Sequence, residues 1–159
     1  MLWIPFEKFE IQTAADSYRN LQRLGEITEK PTWKVLLWPP KGGKPFAGTV
    51  DGPDFKIRRI IHYRNSFLPV LCGRAEGSRL QITARLNWFV ALFMGLWLGI
   101  VLFVFALSFP SAVEQNPPAP YGGLRLISGG MLLFGYFLCV LPFYFELKKA
   151  KRILEEALK

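Results

Sequence analysis

The sequence predicts an α+β membrane protein, in which a small antiparallel β-rich domain with one helix precedes a transmembrane helical hairpin and a C-terminal amphipathic helix. The 159-residue chain contains two stretches without a charged residue, 21 residues from Phe89 to Phe109 and 20 residues from Leu126 to Phe145. A helix of either length crosses a hydrocarbon core of about 30 Å. The residues before Phe89 instead show short runs of alternating apolar and polar residues between turn residues, which is typical of strands.

The ends of the uncharged stretches set the expected boundaries. Residues 1–86 form the predicted cytoplasmic domain, residues 87–146 the transmembrane hairpin, and residues 147–159 the cytoplasmic amphipathic helix. Within the hairpin, the predicted spans cover about 89–109 and 126–145, and the outer loop covers about 110–124.

The distribution of charge predicts the orientation. Residues 1–85 carry 14 Lys and Arg against 8 Asp and Glu, five more basic residues follow the second span, and the outer loop contains only Glu114. Positive residues favour the cytoplasmic side, and the N-terminus lacks the basic and continuous apolar regions of a signal peptide. We therefore expect both termini to be cytoplasmic. Arg125 is the exception, and we expect it to reach the outer interface from the edge of its span.

The first 86 residues are expected to hold one helix and five or six strands. Thr13 is the expected N-cap of the helix and Gly25 its expected end. Alternation and the turns at Asp51-Gly52-Pro53 and Glu76-Gly77 predict the strands. The predicted strands are Phe6–Ile11, Trp33–Trp38, Phe46–Val50, Phe55–Tyr63, Phe67–Cys72 and Arg79–Leu86.

A basic cluster is the first candidate site of the predicted domain. Its members are Arg58, Arg59, His62, Arg64 and the neighbouring Asn65, and this composition suits a phosphate or an acidic partner. In an extended strand Arg58 and His62 share one face while Arg59 shares the other with Tyr63, so one ligand meets them all only if the strand is bulged. We favour the alternative, a solvated basic face near anionic lipid headgroups with the Asn65 segment forming a turn.

The sequence gives little support for a catalytic site or a metal site. Ser66 and Cys72 are the candidate nucleophiles and His62 the candidate base, but no motif places a third group beside them. His62 is the only histidine, which excludes a multi-histidine zinc site. We therefore predict no enzyme, no metal site and no cofactor. The net charge of +8 has a topological explanation in the positive-inside pattern, so we also predict no nucleic-acid partner.

Small residues in the two spans predict close helix packing. Gly95 and Gly99 form a GxxxG motif in the first span, and the second span contains a group of small residues. We favour packing of the two spans against each other, with pairing of two copies of the chain as the alternative. The small residues of the second span are Ser128, Gly129, Gly130 and Gly135.

The C-terminal segment is predicted to be an amphipathic helix. Its apolar stripe is expected either to pack on the cytoplasmic sheet, which we favour, or to lie along the membrane interface. Its basic residues are candidate contacts for anionic lipid headgroups, at about 1 kcal/mol of attraction each. The stripe contains Leu147, Ala150, Ile153, Leu154, Ala157 and Leu158, and the basic residues are Lys148, Lys149, Lys151 and Arg152.

The chain contains a stretch from Phe46 to Gly73, which is followed by two spans and the motif FELKKAKRILEEAL. The most distinctive part of this stretch is YRNSFLPV at Tyr63–Val70. In this order the chain resembles an uncharacterised family of small two-span bacterial membrane proteins, to which no activity is assigned. The resemblance covers roughly the last two thirds of the chain. It implies the same architecture and a location in the bacterial inner membrane, and it implies no chemistry.

Taken together, these observations predict a non-catalytic integral membrane protein that presents a cytoplasmic docking domain to a protein partner or to anionic lipid. Membrane lipids are the expected surroundings, and a protein partner or a second copy of the chain is the expected ligand. Two alternatives stay open. The first is an oligomeric membrane effector or small pore, and the second is a membrane-bound enzyme that acts on a lipid.

Overall fold

The structure, a computed structural model, describes residues 4–32, 43–109 and 120–159 and has an α+β fold. The chain forms two compact units. The first combines Met1–Asn87 with Pro142–Lys159 and contains a six-stranded sheet, and the second is the helical segment Trp88–Leu141. We call them the sheet unit and the hairpin unit.

The sheet has the strand order β1-β6-β5-β4-β3-β2. Every neighbouring pair is antiparallel except the short pair β2 and β3, which is parallel. β1 therefore lies beside β6, although about 70 residues separate them in sequence. The strands are β1 Phe6–Gln12, β2 Thr28–Glu29, β3 Phe46–Asp51, β4 Asp54–Arg59, β5 Val70–Glu76 and β6 Arg79–Arg85.

Glycines allow the two tight hairpins and one close contact within the sheet. Gly52 between β3 and β4 and Gly77 between β5 and β6 have φ values of 57° and 58°, which L side chains rarely adopt. In β5, a Cβ at Gly73 would collide with the ring of Phe55 on the neighbouring strand. The absence of a side chain at Gly73 therefore gives Phe55 its place in the core.

Helix α1 covers Ser17–Ile27, so the predicted N-cap Thr13 is wrong. Asp16 is the N-cap, and its carboxylate accepts a hydrogen bond from the Arg19 backbone N–H at 3.1 Å. The Thr13 hydroxyl oxygen instead accepts a hydrogen bond from the buried Asn20 side chain at 2.7 Å. The predicted end at Gly25 is also early, because the helix continues for two residues to Ile27.

One face of the sheet carries the core of the sheet unit. Alternate residues of each strand point to this face, as strand geometry requires, and two helical segments supply the other half of the core. From the strands come Ile11, Phe46, Phe55, Ile57, Leu71, Ala75, Leu80, Ile82 and Ala84. From the helices come Leu24 of α1 and Phe143, Leu147, Ala150, Leu154 and Leu158 of the last helix.

The hairpin unit contains helix α2, Trp88–Leu107, and the first part of helix α3, Pro120–Leu158. Both helices are long and apolar enough to cross a membrane. Gly135 of α3 lies against Trp97 and Leu98 of α2, where a Cβ would collide with the indole ring. Small size at position 135 thus lets the helices approach, as the sequence predicted for the second span.

The two glycines of the GxxxG motif do not make this helix contact. A Cβ at Gly95 or at Gly99 would meet no described atom within 4 Å, and both residues are exposed. Gly129 takes part, because its Cβ would touch the Phe105 ring at 3.4 Å, whereas Gly130 faces open space. Gly95, Gly99 and Gly130 therefore make no contact between the spans among the described residues, and pairing of two copies of the chain stays a prediction for them.

Several predicted ends of strands and helices differ from those in the structure. β4 ends at Arg59 rather than Tyr63: the Ile60 backbone N–H still bonds the Pro45 carbonyl at 2.8 Å in the β3–β4 register, but Pro45 has no N–H to complete the pair. β5 begins at Val70 rather than Phe67. Helix α3 runs through both the end of the predicted second span and Pro142. The predicted strand Trp33–Trp38 and most of the predicted outer loop lie outside the described residues.

Candidate functional site

The sheet face opposite the core is the candidate site, and we call it the open face. Strand alternation places on it the residues that the core does not use, and most of their side chains are exposed. The more covered members are Ala47, which is buried, and the half-buried Glu29, Arg58, Val70, Cys72 and Thr83. An exposed face of this kind is ordinary for an antiparallel sheet, so its charge pattern is the informative feature.

The strand register arranges the open face in rows of neighbouring residues. The two rows close to the chain end of β6 carry four basic residues, Lys8, Lys56, Arg58 and Arg85, and the acid Glu29 at the β2 edge. The next two rows carry four acids, Glu10, Asp51, Asp54 and Glu76, and the bases Arg74 and Arg79. The open face is therefore divided into a basic half and an acidic half.

A bidentate ion pair orders part of the acidic half. Arg74 donates from Nε to Asp54 Oδ1 at 2.7 Å and from Nη2 to Oδ2 at 3.0 Å. The hydrogen bond from Arg74 lowers the pKa of Asp54, and the same bond raises the pKa of Arg74. Both side chains are exposed, so the pair contributes little to stability and mainly holds its charges in place.

The predicted basic cluster does not converge on one point. Arg58 lies on the open face, where burial lowers the pKa of its guanidinium, while Arg59 lies on the core face. His62 and Arg64 follow the end of β4 and are exposed. Asn65 accepts a hydrogen bond from the Phe67 backbone N–H at 2.9 Å, which is the turn role that the sequence analysis favoured for this segment.

Arg59 binds Glu146, a residue that the sequence analysis did not single out. The Glu146 side chain is only 3% exposed, and it forms an ion pair with Arg59 and accepts a hydrogen bond from the Tyr63 hydroxyl. Lys149 lies 3.5 Å from the same carboxylate. Partial burial raises the pKa of Tyr63, and the hydrogen bond to Glu146 raises it further. We call Arg59, Tyr63 and Glu146 the acidic clamp.

The clamp attaches α3 to the strand end at β4. A carboxylate that is removed from water is costly unless it is paired, so the two donors account for the burial of Glu146. One sequence signal was available, since Glu146 is the first charged residue after the second uncharged stretch. Its partners lie more than 80 residues away in the chain, and no local pattern indicates them.

The basic residues of the C-terminal helix have different surroundings. Lys151 pairs with Glu7 of β1, and its ammonium lies 4.1 Å from the centre of the Phe9 ring. Lys148 and Arg152 are exposed, and the ion pairs of the described residues do not include either of them. Lys151 therefore already has a structural role, whereas Lys148 and Arg152 keep free charge.

The candidate nucleophiles lie apart from any organised site. Cys72 is half-buried in the middle of the open face, between Thr83 of β6 and Lys56 of β4 in the register, and Ser66 is exposed in the segment after β4. Within residues 4–32, 43–109 and 120–159, no three His, Cys, Asp or Glu side chains form a group able to hold a metal ion.

Comparison of the chain with protein-family models, curated proteins and solved structures gives no match. The resemblance stated from the Tyr63–Val70 motif therefore stays a prediction.

Proposed function

We propose that this chain is a non-catalytic integral protein of the bacterial inner membrane, which presents the open face of its sheet to a protein partner in the cytoplasm. The observation that supports docking is the division of the open face into a basic and an acidic half. The chain fills the opposite face with α1 and the last part of α3, but leaves this one exposed. A surface that exposes ordered charges of both signs suits a complementary surface.

The hairpin unit supports the membrane placement. Large apolar side chains remain exposed all along its helices, among them Phe103 at 64% and Phe134 at 66%. In water such a surface far exceeds the apolar patches that monomeric soluble proteins expose, whereas in a bilayer it meets acyl chains. Each helix contains a run of 20 residues without Asp, Glu, Lys or Arg, so the cost of inserting it into a bilayer is low.

The charge pattern favours a protein over a lipid surface as the partner of the open face. An anionic bilayer attracts the basic half but repels the four acids of the acidic half. A protein offers acids opposite Lys56 and Arg85 and bases opposite Glu10 and Asp51 in one contact. The expected ligand is therefore a protein surface with the reverse polarity.

Site-specific photo-crosslinking in native membranes tests this proposal. A crosslinking residue at Gln81, which is exposed on β6 in the acidic half of the open face, should give one adduct of defined mass. The same residue at Tyr18, which is 76% exposed on α1, is the matched control and should not give it. The double variant Lys56→Glu, Arg85→Glu should remove the Gln81 adduct because it reverses the basic half. Equal adducts from both positions would contradict docking on this face.

Carbonate extraction and cysteine labelling test the membrane placement separately. The chain should stay in the membrane at high pH. In a Cys72→Ser background, an impermeant maleimide added from outside should reach Gln115→Cys and miss Gln81→Cys. Extraction by carbonate would overturn the membrane placement, and the reverse labelling pattern would overturn the orientation.

A further inference from the structure

A cavity of about 350 Å³ lies in the sheet unit between β1 and α3. Five residues line it, namely Glu7, Tyr144, Leu147, Lys148 and Lys151. Two amines one helical turn apart thus share one cavity with an apolar wall formed by Leu147 and the methylene groups of the lysines. The Tyr144 hydroxyl donates to the Ile4 carbonyl at 2.8 Å, which fixes the aromatic side of the cavity.

The charge of the cavity is not neutralised from within. Glu7 pairs with Lys151, but an ammonium group has three donors, so Lys151 keeps donors for a second anion. Lys148 is exposed and takes part in none of the ion pairs of the described residues. Two lysines against one glutamate give the cavity one positive charge, which matches a ligand with a single negative charge.

The position of the cavity in the sequence suggests the source of that ligand. The uncharged stretch ends at Phe145, so Tyr144 lies at its inner end and Lys148 follows after three residues. At 1.5 Å per residue, Lys148 lies about 4.5 Å along the helix beyond this stretch, which is headgroup depth if the stretch occupies the hydrocarbon. Tyrosine and lysine side chains are typical of this layer.

We propose that this cavity binds one molecule of an anionic phospholipid. The phosphate lies between the amines of Lys148 and Lys151, and the start of an acyl chain packs against Leu147 and the lysine stems. This inference rests on the proposed membrane placement of α3, but not on the protein partner of the open face. It predicts a discrete lipid site, in contrast to a diffuse attraction shared by all the basic residues of the helix.

Native mass spectrometry of the full chain in detergent tests the site. Dihexanoyl phosphatidylglycerol should bind as a single molecule and more tightly than dihexanoyl phosphatidylcholine, which carries no net charge. Lys148→Gln should weaken phosphatidylglycerol binding about fivefold, and Lys148→Arg should restore it. Lys159→Gln, the same charge change on an exposed lysine at the end of the helix, should leave binding unchanged.

Three results would overturn the lipid site. The first is equal binding of the two lipids, and the second is an equal loss of binding in Lys148→Gln and Lys159→Gln. The third is binding of glycerophosphoglycerol, the deacylated headgroup with the same single negative charge, as tightly as phosphatidylglycerol, because the apolar wall then contributes nothing. Any of these results in a protein that resists carbonate extraction leaves the membrane placement intact. Extraction by carbonate would instead overturn the placement on which this inference depends.

Discussion

The two halves of helix α3 use side chains in opposite ways. In the hairpin unit, up to Leu141, most exposed residues of α3 are large and apolar, and its buried positions are Ser128, Gly135, Cys139 and Val140. In the sheet unit, from Pro142 onward, the apolar residues Phe143 and Leu154 are fully buried and most exposed positions are charged. One continuous helix therefore exposes mainly apolar side chains along its first part and mainly charged ones along its last part.

Under the proposed membrane placement, the two halves differ because their surroundings differ. Burying apolar side chains and exposing charges is the arrangement that water imposes. Exposing apolar side chains and burying small ones is the arrangement of helices packed in lipid, where close backbone approach replaces the hydrophobic effect. Glu146 of the acidic clamp directly follows the part of α3 that exposes apolar side chains. Its burial between Arg59 and Tyr63 makes the first charge after the uncharged stretch part of the sheet unit.

The largest difference between the halves is expected when one phenylalanine is truncated in each. Phe143→Ala removes a ring that is 0% exposed and should lower the free energy of unfolding of the sheet unit by about 3–5 kcal/mol. Phe134→Ala, at 66% exposure in the hairpin unit, should change it by less than about 0.5 kcal/mol. Guanidinium unfolding in detergent, followed by hydrogen exchange of the strands, measures both. Equal effects would show that the halves do not differ.

A charge in the first half is the next test. Leu133→Asp places a carboxylate on an exposed position in the middle of the uncharged stretch, and should disfavour insertion by about 2.5–3.5 kcal/mol. The fraction of chain resistant to carbonate extraction should fall accordingly. Tyr18→Asp, at an exposed position of α1, is the control and should have no effect on extraction. A Leu133→Asp variant that inserts normally would contradict the lipid-facing role of this side.

The third test compares two adjacent arginines of β4. Arg59→Met leaves the Glu146 carboxylate buried with Tyr63 as its main donor, and should destabilise the sheet unit by about 1–3 kcal/mol. Arg58→Met changes the open face, and should cost no more than about 0.5 kcal/mol. Thermal unfolding of the two variants measures the difference. If Arg58→Met is the more damaging, the clamp is not what attaches α3 to the sheet.

Much of this fold is local and was predictable. The absence of charge over about 20 residues predicts two long apolar helices, because each backbone polar group there needs a partner within the helix. Alternation in Arg79–Arg85 predicts a half-buried strand, and the glycines at 52 and 77 predict the turns. Alternation also predicts that Arg58 and Arg59 point to opposite faces, as the register has them.

The sequence predicted that a capping residue starts helix α1, but it did not predict which residue. Thr13 and Asp16 are both capping residues, and the choice between them depends on Asn20, which binds the Thr13 hydroxyl from inside the core. A similar limit applies to the glycines of the spans. Composition indicates that small residues pack, but only the tertiary structure determines that Gly135 of α3 lies against α2 and that Gly95 of α2 meets no described atom.

The sequence by itself determined most of the elements, the uncharged stretches and the alternation of the longer strands, because these depend on neighbours within a few residues. The two-residue strand β2, Thr28–Glu29, was not predicted. Only the tertiary structure decided that β1 pairs with β6, that Glu146 binds Arg59 and that the open face has a basic and an acidic half. Each of these features joins residues that are tens of positions apart. Local periodicity carries no information about such pairs, since they are selected by the fit of whole surfaces when the core closes.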